Sequence, residues 1–271
     1  MISTLAYRIS GRTDTQAPTV LLSSGLGGVG SFWHPQLAIL ESQYRVIVYD
    51  QRGTGGSACQ LDEGYSMADM AREVIEILDD LSIEQCHFIG HALGGMIGLT
   101  LATLAPHRLS SLAIINGWVT LDSHTRRCFE VRLQLLTLSE HAYLQAQPLF
   151  LYPADWLSRH ADDIADEENS QREHFQGRHN LQCRLSALMK TDLTDTLSSI
   201  KHPCLVLCAR DDLLVPWFCS QTLAAGLPHR QYQEVSYGGH AMCRSDPQPF
   251  NTIITTWLDS VTTSQKQAMT V

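Results

Sequence analysis

The sequence predicts an α/β protein built on a doubly wound, mostly parallel β-sheet into which a block of helices is inserted. Short apolar runs alternate with longer helical runs up to about residue 119 and again from about residue 202, as strands and helices do in parallel sheets. Between them, from about residue 121 to 192, the pattern is helical alone. We therefore expect a core of residues 1–119 and 194–262, a helical insertion of residues 120–193, and a flexible tail at 263–271.

The composition is that of an ordinary globular protein. The chain has 271 residues, of which 44% are apolar and 17% charged, and its net charge is −9. This charge argues against a nucleic-acid partner, and we find no signal peptide and no apolar run long enough to span a membrane. We expect a cytoplasmic protein that acts on a small molecule, and whether it forms a homodimer stays open.

Cysteine and histidine are frequent but do not form recognisable sites. The 8 cysteines are scattered without a C-x-x-C pair, so free buried thiols are expected. The 12 histidines include no H-E-x-x-H motif. The sequence predicts no metal and no cofactor.

The elements of the first half are predicted from short β-branched runs and from apolar residues at three- and four-residue steps. Ser66 can cap the second helix, and Pro106 closes the third. In order, we expect strands at 5–9, 19–22, 45–49, 86–89 and 109–116, with helices at 32–43, from Ser66 to about Leu81, and at 93–105.

The second half begins with helices alone. We expect helices at 123–139, 140–147, 154–159 and 166–189, then strands at 202–209 and 231–236 and a closing helix at 247–258.

The stretch Ile89–Gly95 has the frame of a nucleophile elbow without a nucleophile. In G-x-S-x-G a strand turns sharply into a helix, and the flanking glycines let neighbouring backbone pass close by. Gly90 and Gly94 occupy those places, but the central residue is Ala92. A methyl group can neither attack a carbonyl nor release a proton.

A turn dense in glycine follows the strand at 45–49. Its pattern D-x-R-G-x-G-x-S, from Asp50 to Ser57, resembles the α/β-hydrolase superfamily. The resemblance implies an α/β-hydrolase fold in which the insertion is a lid over the substrate pocket. Asp50 and Arg52 are expected to be structural, as an ion pair that holds the turn.

The superfamily's remaining catalytic positions are present in its chain order, elbow, acid, histidine. Asp212 lies four residues before Pro216, where the family keeps its acid, and Asp211 is the near alternative. The loop G-G-H places His240 at the histidine position. We expect Asp212 and His240 to form a dyad.

The glycine-rich loop at 23–28 follows a strand directly. In the superfamily this loop and the residue after the nucleophile supply the two N–H groups of the oxyanion hole, which makes Leu26 and Leu93 the candidates. A plain loop or a phosphate cradle is the alternative, although the lysine of a Walker motif is missing.

The match extends beyond the superfamily. The strings S-G-L-G-G, Y-D-Q-R-G-T-G, G-H-A-L-G, Q-P-L-F-L-Y-P-A-D-W and Y-G-G-H-A, among others, resemble the RutD family of pyrimidine-utilisation proteins, lid included. The resemblance implies hydrolysis of a small product of uracil and thymine breakdown, either carbamate or aminoacrylate. It also implies that Ala92 is natural rather than an engineered replacement of serine.

The substrate pocket is expected to be lined from both the core and the lid. The candidates are Gly25, Trp118, Arg126, Arg127, Tyr152 and Trp156, with His124, His179 and Asn180 as further polar residues of the lid.

A dyad without a nucleophile can still activate water as a general base, and we expect this mechanism. A noncatalytic binding protein and a cofactor-free oxygenase or lyase remain alternatives. Attack by Ser23 or Ser24 is a third.

Overall fold

A computed structural model describes residues 5–14 and 17–268 of the chain, with the side chains from residue 264 onward left out. Its seven strands form one sheet. They are β1 Tyr7–Gly11, β2 Thr19–Ser23, β3 Arg45–Tyr49, β4 Cys86–His91, β5 Leu109–Ile115, β6 Cys204–Ala209 and β7 Arg230–Val235.

The sheet is doubly wound and mostly parallel, as predicted. The strand order is β1-β3-β2-β4-β5-β6-β7, and only β1 runs antiparallel to its neighbour. Ser23 pairs with Gly90, and His91 with Ile115. The carboxyl ends of β2, β4 and β5 therefore meet at one edge, where ligands bind in open α/β sheets.

Eleven α-helices accompany the strands in the described part of the chain. They are α1 His34–Glu41, α2 Met67–Asp80, α3 Leu93–Leu104, α4 Ser123–Leu138, α5 Glu140–Leu151, α6 Ala154–Arg159, α7 Ala161–Glu173, α8 Arg178–Lys190, α9 Trp217–Gly226, α10 Met242–Ser245 and α11 Pro247–Ala268.

Helices cover both faces of the sheet because successive strand residues point to opposite faces. Leu21 packs with α2, α3 and α9, whereas Val20 and Leu22 pack with α1, α10 and α11. The five helices α4–α8 lie between β5 and β6, where the insertion was predicted.

Local chemistry explains where the helices begin. Ser66 caps α2 in a capping box, in which its side chain accepts from the Asp69 N–H and the Asp69 side chain accepts from the Ser66 N–H. The apolar stripe of α2 then packs into the core. The predicted cap is confirmed.

Three element predictions need correction. The single helix expected at 166–189 is two, α7 and α8, because the chain turns at Gly177 with φ 82°. The edge strand begins at Tyr7 rather than Leu5. The closing helix continues past Leu258 to Ala268, through most of the predicted tail, and residues 269–271 lie outside the described ones.

All eight cysteines are free; Cys59 is exposed and the other seven are buried. Within residues 5–14 and 17–268, no group of three or more His, Cys, Asp or Glu side chains is arranged to hold a metal ion. No helix of the described chain is long and apolar enough to cross a membrane.

Candidate active site

The turn from β4 into α3 has the geometry of a nucleophile elbow. Ala92 adopts φ 49° and ψ −111°, a conformation that residues with a Cβ rarely occupy. A Cβ on Gly90 would lie 2.3 Å from the Gly94 carbonyl oxygen, and one on Gly94 would lie 2.2 Å from that of Ser23. Both glycines are therefore needed for these backbones to approach.

His240 and Asp212 meet beside the elbow as a buried pair. His240 Nδ1 lies 2.7 Å from Asp212 Oδ2. The other carboxylate oxygen, Oδ1, accepts from the N–H groups of Leu214 and Val215 at 2.8 and 2.9 Å. Because a carboxylate only accepts, Nδ1 is the nitrogen that donates in this bond, which selects the tautomer with Nε2 as acceptor for a neutral imidazole.

Asp211, the near alternative for the acid, has a different task. Its two carboxylate oxygens accept from the N–H groups of Gly238 and Gly239 at 3.1 and 2.9 Å. Asp211 therefore shapes the loop that carries His240, and it is Asp212 that contacts the imidazole.

A second histidine, His91, is hydrogen-bonded to the loop that carries His240. The carbonyl oxygen of His240 accepts from His91 Nε2 at 2.7 Å and from Asn116 Nδ2 at 2.6 Å. Asn116 in turn accepts from the Ala209 N–H at 3.0 Å, which ties the loop to β6. These bonds hold the backbone of His240 from two directions.

The His91 ring is neutral. Burial lowers the pKa of His91 to about 3, and the neighbouring His240 acts in the same direction. Since Nε2 donates to a carbonyl, Nδ1 is the unprotonated nitrogen, and it is buried without a hydrogen-bond partner among the described residues. Phe32 stacks on the ring at 4.8 Å.

The two predicted oxyanion residues both line the cavity beside the dyad. Leu93 is the first residue of α3, so its N–H has no acceptor within the helix and lies at the positive end of the helix dipole. The Leu26 carbonyl accepts from Arg184 Nη2 at 3.2 Å and from Gln176 Nε2 at 3.3 Å. The lid therefore fixes the glycine-rich loop.

A cavity of about 710 Å³ opens over this edge of the sheet, between core and lid. Among the predicted residues, it is lined by Gly25, Leu26, Ala92, Leu93, Trp118, Tyr152 and His240. The structure thus brings the elbow, the dyad histidine and both oxyanion candidates to one surface.

Arg126, Arg127 and Trp156 do not line this cavity, contrary to our expectation. The face of α4 that turns inward carries Thr125, Cys128, Phe129 and Arg132, so both arginines point to solvent. Trp156 lies behind Tyr152, with the two rings stacked at 4.5 Å.

The further polar residues of the lid hold it to other parts of the chain. His124 Nε2 bonds to the Leu213 carbonyl at 2.6 Å, and His179 Nε2 to the Leu61 carbonyl at 2.7 Å. The Asn180 side chain bonds to backbone groups of Leu61, Gly53 and Cys59.

Asp50 and Arg52 are structural, but they do not pair with each other. Asp50 accepts from the Gly30 and Gly56 N–H groups, both at 2.8 Å. Arg52 pairs instead with Glu73 at 3.0 Å and with Glu76 at 3.3 Å.

The two serines considered as nucleophiles differ in position. Ser23 Oγ is buried at 2.9 Å from Tyr49 Oη, away from the cavity. Ser24 lines the cavity, but its Oγ has no hydrogen-bond partner among the described residues, including His240. Neither hydroxyl is bonded to a histidine that could activate it.

Sequence reasoning missed several residues of the cavity, among them His91, Arg132, Tyr143 and Gln147. His91 carries a signal in the motif itself, because it immediately precedes the elbow residue. Arg132 could have been found only from the helical phase of α4, in which Cys128, Phe129 and Arg132 share a face. Tyr143 and Gln147 lie four residues apart, on one face of the next helix, α5.

Comparison with known proteins agrees with this geometry. Residues 18–149 match the family model of the alpha/beta hydrolase fold. The chain is 53% identical to the RutD proteins of Pantoea ananatis and Serratia proteamaculans, over 93% of its length and 92% and 95% of theirs.

Among solved structures, the enol-lactonase from Burkholderia xenovorans superposes with a TM-score of 0.85 at 26% identity, covering 94% of this chain and 96% of that one. The fold, the elbow and the similarity to relatives along nearly the whole chain agree. The chain therefore belongs to the RutD family of the α/β-hydrolase superfamily.

Proposed function

We propose that this protein hydrolyses a carbon–nitrogen bond in a small product of pyrimidine ring breakdown, by activating water without a covalent intermediate. The observation that carries the proposal is the pairing of an intact dyad, with His240 Nδ1 2.7 Å from Asp212 Oδ2, with an alanine at the elbow. The names of the RutD relatives assign them, provisionally, carbamate hydrolysis.

In the proposed reaction His240 is the general base. Its Nε2 takes a proton from a water molecule. This water occupies the space that a nucleophilic side chain at position 92 would fill. Asp212 keeps the imidazole in the required tautomer and stabilises the imidazolium that forms. The N–H groups of Leu26 and Leu93 stabilise the oxygen on which charge develops.

Two substrates fit this chemistry. Carbamate and water give ammonia and bicarbonate, which is in equilibrium with carbon dioxide. Aminoacrylate takes a proton from solvent at C2 and adds the activated water at C3. The resulting carbinolamine expels ammonia and releases its hydroxyl proton to solvent, leaving malonic semialdehyde. In both cases the proton held by His240 returns to the leaving nitrogen.

A base without a nucleophile suits these substrates because both break down in water unaided. General-base catalysis contributes about 10²- to 10⁴-fold, and the loss of one oxyanion donor costs about 10²- to 10³-fold. An unactivated amide would demand far more. The missing nucleophile and the labile substrates are therefore consistent with each other.

The test is ammonia release from freshly prepared carbamate and, separately, from aminoacrylate generated in situ, with the spontaneous rates subtracted. We expect His240→Ala to lower the enzymatic rate by about 10²- to 10⁴-fold on the true substrate. His107→Ala is the matched control, since His107 is exposed and lies outside the cavity, and it should leave the rate unchanged.

Other outcomes select the alternatives. Growth on uracil that survives His240→Ala would favour a noncatalytic binding role. Oxygen uptake, or a product that lacks the added elements of water, would indicate an oxygenase or a lyase.

A further inference from the structure

One wall of the cavity carries an arginine without a counterion. Arg132 projects from α4, is only 4% exposed, and lines the cavity with Trp118 and Tyr143. No acidic side chain forms an ion pair with it anywhere in residues 5–14 and 17–263. Charged side chains are rarely buried in proteins without a partner of opposite charge. Arg184 is also buried without an ion pair in the described part of the chain, but it does not line the cavity, and it donates to the Leu26 carbonyl and the Gln51 side chain.

The groups that do contact Arg132 are neutral. Nη2 donates to the hydroxyl of Tyr143 at 3.2 Å and to the side-chain oxygen of Gln147. The guanidinium also lies 5.4 to 5.7 Å from the ring centres of Phe129, Tyr143 and Phe150. Its Nε is buried with no hydrogen-bond partner in the described structure.

The acidic residues that line the cavity are already engaged elsewhere. Glu167 forms an ion pair with Arg244 at 2.8 Å. Asp50 accepts two backbone hydrogen bonds, from Gly30 and Gly56. Two arginines line the described cavity wall, Arg132 and Arg244. Arg244 is paired with Glu167, whereas no carboxylate among the described residues balances the charge of Arg132.

We infer that Arg132 is the receptor for a carboxylate on the ligand, and that it determines which small acids the cavity accepts. Arginine presents N–H donors in a planar fork that matches a carboxylate, and such bonds are strongest where water is excluded. The aromatic rings around it would shield the pair from solvent. A ligand carboxylate would balance the charge that the protein leaves unpaired.

This inference rests on the proposed function and narrows its substrate. Arg132 lies on the lid side of the cavity, and the dyad lies on the core side. A substrate that spans both needs a carboxylate at one end and the reacting carbon at the other. A three-carbon 3-amino acid enamine such as aminoacrylate has this form, whereas the single carbon of carbamate is both carboxylate and reacting centre.

The size of the cavity does not separate the two substrates. At about 710 Å³ it lies within the roughly 300–1,000 Å³ range of ordinary ligand pockets. Carbamate has four non-hydrogen atoms and aminoacrylate six, so either would leave most of this space to water. The distinction between them therefore rests on Arg132.

The test measures binding separately from catalysis. Propanoate is an unreactive three-carbon acid, and propanamide is its neutral counterpart of nearly the same shape. We would measure the dissociation constants of both by ligand-observed NMR on the wild type and on Arg132→Met. We expect propanoate to bind at least tenfold more weakly to Arg132→Met, and propanamide to bind the two proteins equally.

Arg126→Met is the matched control, because Arg126 is an exposed arginine on the same helix. It should bind propanoate as the wild type does. His240→Ala should also keep its propanoate affinity within about twofold while losing ammonia release. This separation distinguishes failure of the carboxylate receptor from failure of the proposed reaction.

Stability gives an independent readout. Saturating propanoate should raise the melting temperature of the wild type and leave that of Arg132→Met unchanged, because a ligand stabilises only the protein that binds it, whereas a purely structural arginine would leave the same propanoate-induced rise in both proteins. Arg132→Lys, which keeps the charge, should retain part of the propanoate affinity even if Arg132→Met folds poorly. Equal propanoate binding by the wild type and Arg132→Met, or equal binding of propanoate and propanamide by the wild type, would overturn the inference.

Discussion

At the scale of single residues, the elbow keeps a strained backbone although its central side chain is only a methyl group. Ala92 holds φ 49°, and a conformation of this kind costs on the order of 1–3 kcal/mol. The turn starts α3 at Leu93, which lines the cavity, and places His91 where its Nε2 donates to the His240 carbonyl. The strained turn therefore positions the two residues on either side of Ala92, His91 and Leu93.

Restoring a hydroxyl at this position should change the reaction that the site performs. In Ala92→Ser the new Oγ would stand where we place the attacking water, beside His240, the proposed base. We expect slow hydrolysis of p-nitrophenyl acetate with a burst of one equivalent, because a serine activated by an adjacent histidine forms an acyl-enzyme. Ammonia release from the natural substrate should fall at the same time, since the hydroxyl displaces the water.

Mass spectrometry of the quenched reaction would detect the acetyl group on residue 92. The double variant Ala92→Ser with His240→Ala is the control and should show no burst. A burst that survives loss of His240 would mean that the histidine is not placed to act as a base.

The residues that motif reasoning located are those whose neighbours in sequence constrain the backbone. Gly90 and Gly94 identify the elbow, and Gly238 and Gly239 identify the loop of His240, because these turns require glycine at fixed offsets. Arg132 escaped prediction because its role depends on what its side chain fails to pair with. Whether an arginine has a counterion depends on which side chains lie beside it in the folded protein, and a short stretch of sequence does not show this.

At the scale of elements, the end of β2 and the start of α3 approach each other closely beside the candidate site. The carbonyl oxygen of Ser23, at the end of β2, would lie 2.2 Å from a Cβ on Gly94 at the start of α3. The carbonyl of Ser24 would lie 2.7 Å away. No flexible side chain stands between them that could move aside.

We therefore expect Gly94→Ala to lower the free energy of unfolding by about 3 kcal/mol, because the clash forces the helix away from the sheet. Gly27→Ala is the matched control. Gly27 lies in the glycine-rich loop that follows β2, where an added Cβ meets nothing within 4 Å. It should change stability by less than about 0.5 kcal/mol. Urea unfolding followed by circular dichroism measures both, and equal losses in the two variants would contradict the packing argument.

Elements were predictable where one local signal dominates. The apolar stripe of α2 and the cap residue Ser66 predicted where this helix starts, and the short β-branched runs predicted the buried strands. The break between α7 and α8 was missed because the helical pattern continues on both sides of it. Gly177, with φ 82°, was the local sign of that turn.

At the scale of the whole molecule, the helices inserted between β5 and β6 are anchored to the core beside the candidate site. Arg184 on α8 is fully buried and donates to the Leu26 carbonyl at 3.2 Å and to the Gln51 side chain at 2.5 Å. The side chain of Asn180 bonds to the segment around Leu61. The lid thus fixes the loop that carries one oxyanion candidate, through contacts between residues more than 100 positions apart. Sequence patterns contain no record of such contacts.

Stability of the whole molecule should depend on pH through two buried histidines of β4. Burial lowers the pKa of His87 to about 4 and that of His91 to about 3. The unfolded chain, in which a histidine has a pKa of about 6.5, binds more protons than the folded one between these values. The free energy of unfolding therefore falls as the pH falls below about 6.5, by up to about 1.4 kcal/mol per pH unit for each histidine.

Replacing one of these histidines isolates its share of the pH dependence. His87 bonds to Ser111 Oγ at 2.8 Å, away from the cavity, and His87→Gln can keep a hydrogen bond to that hydroxyl. Urea unfolding at about pH 7.5, 6 and 5 should give a shallower decline in His87→Gln than in the wild type, with the greatest difference at the lowest pH. His107→Gln, at an exposed site, should follow the wild type. Equal declines in the free energy of unfolding for His87→Gln and the wild type would contradict this account. They would mean that burial does not lower the pKa of His87 in the folded protein.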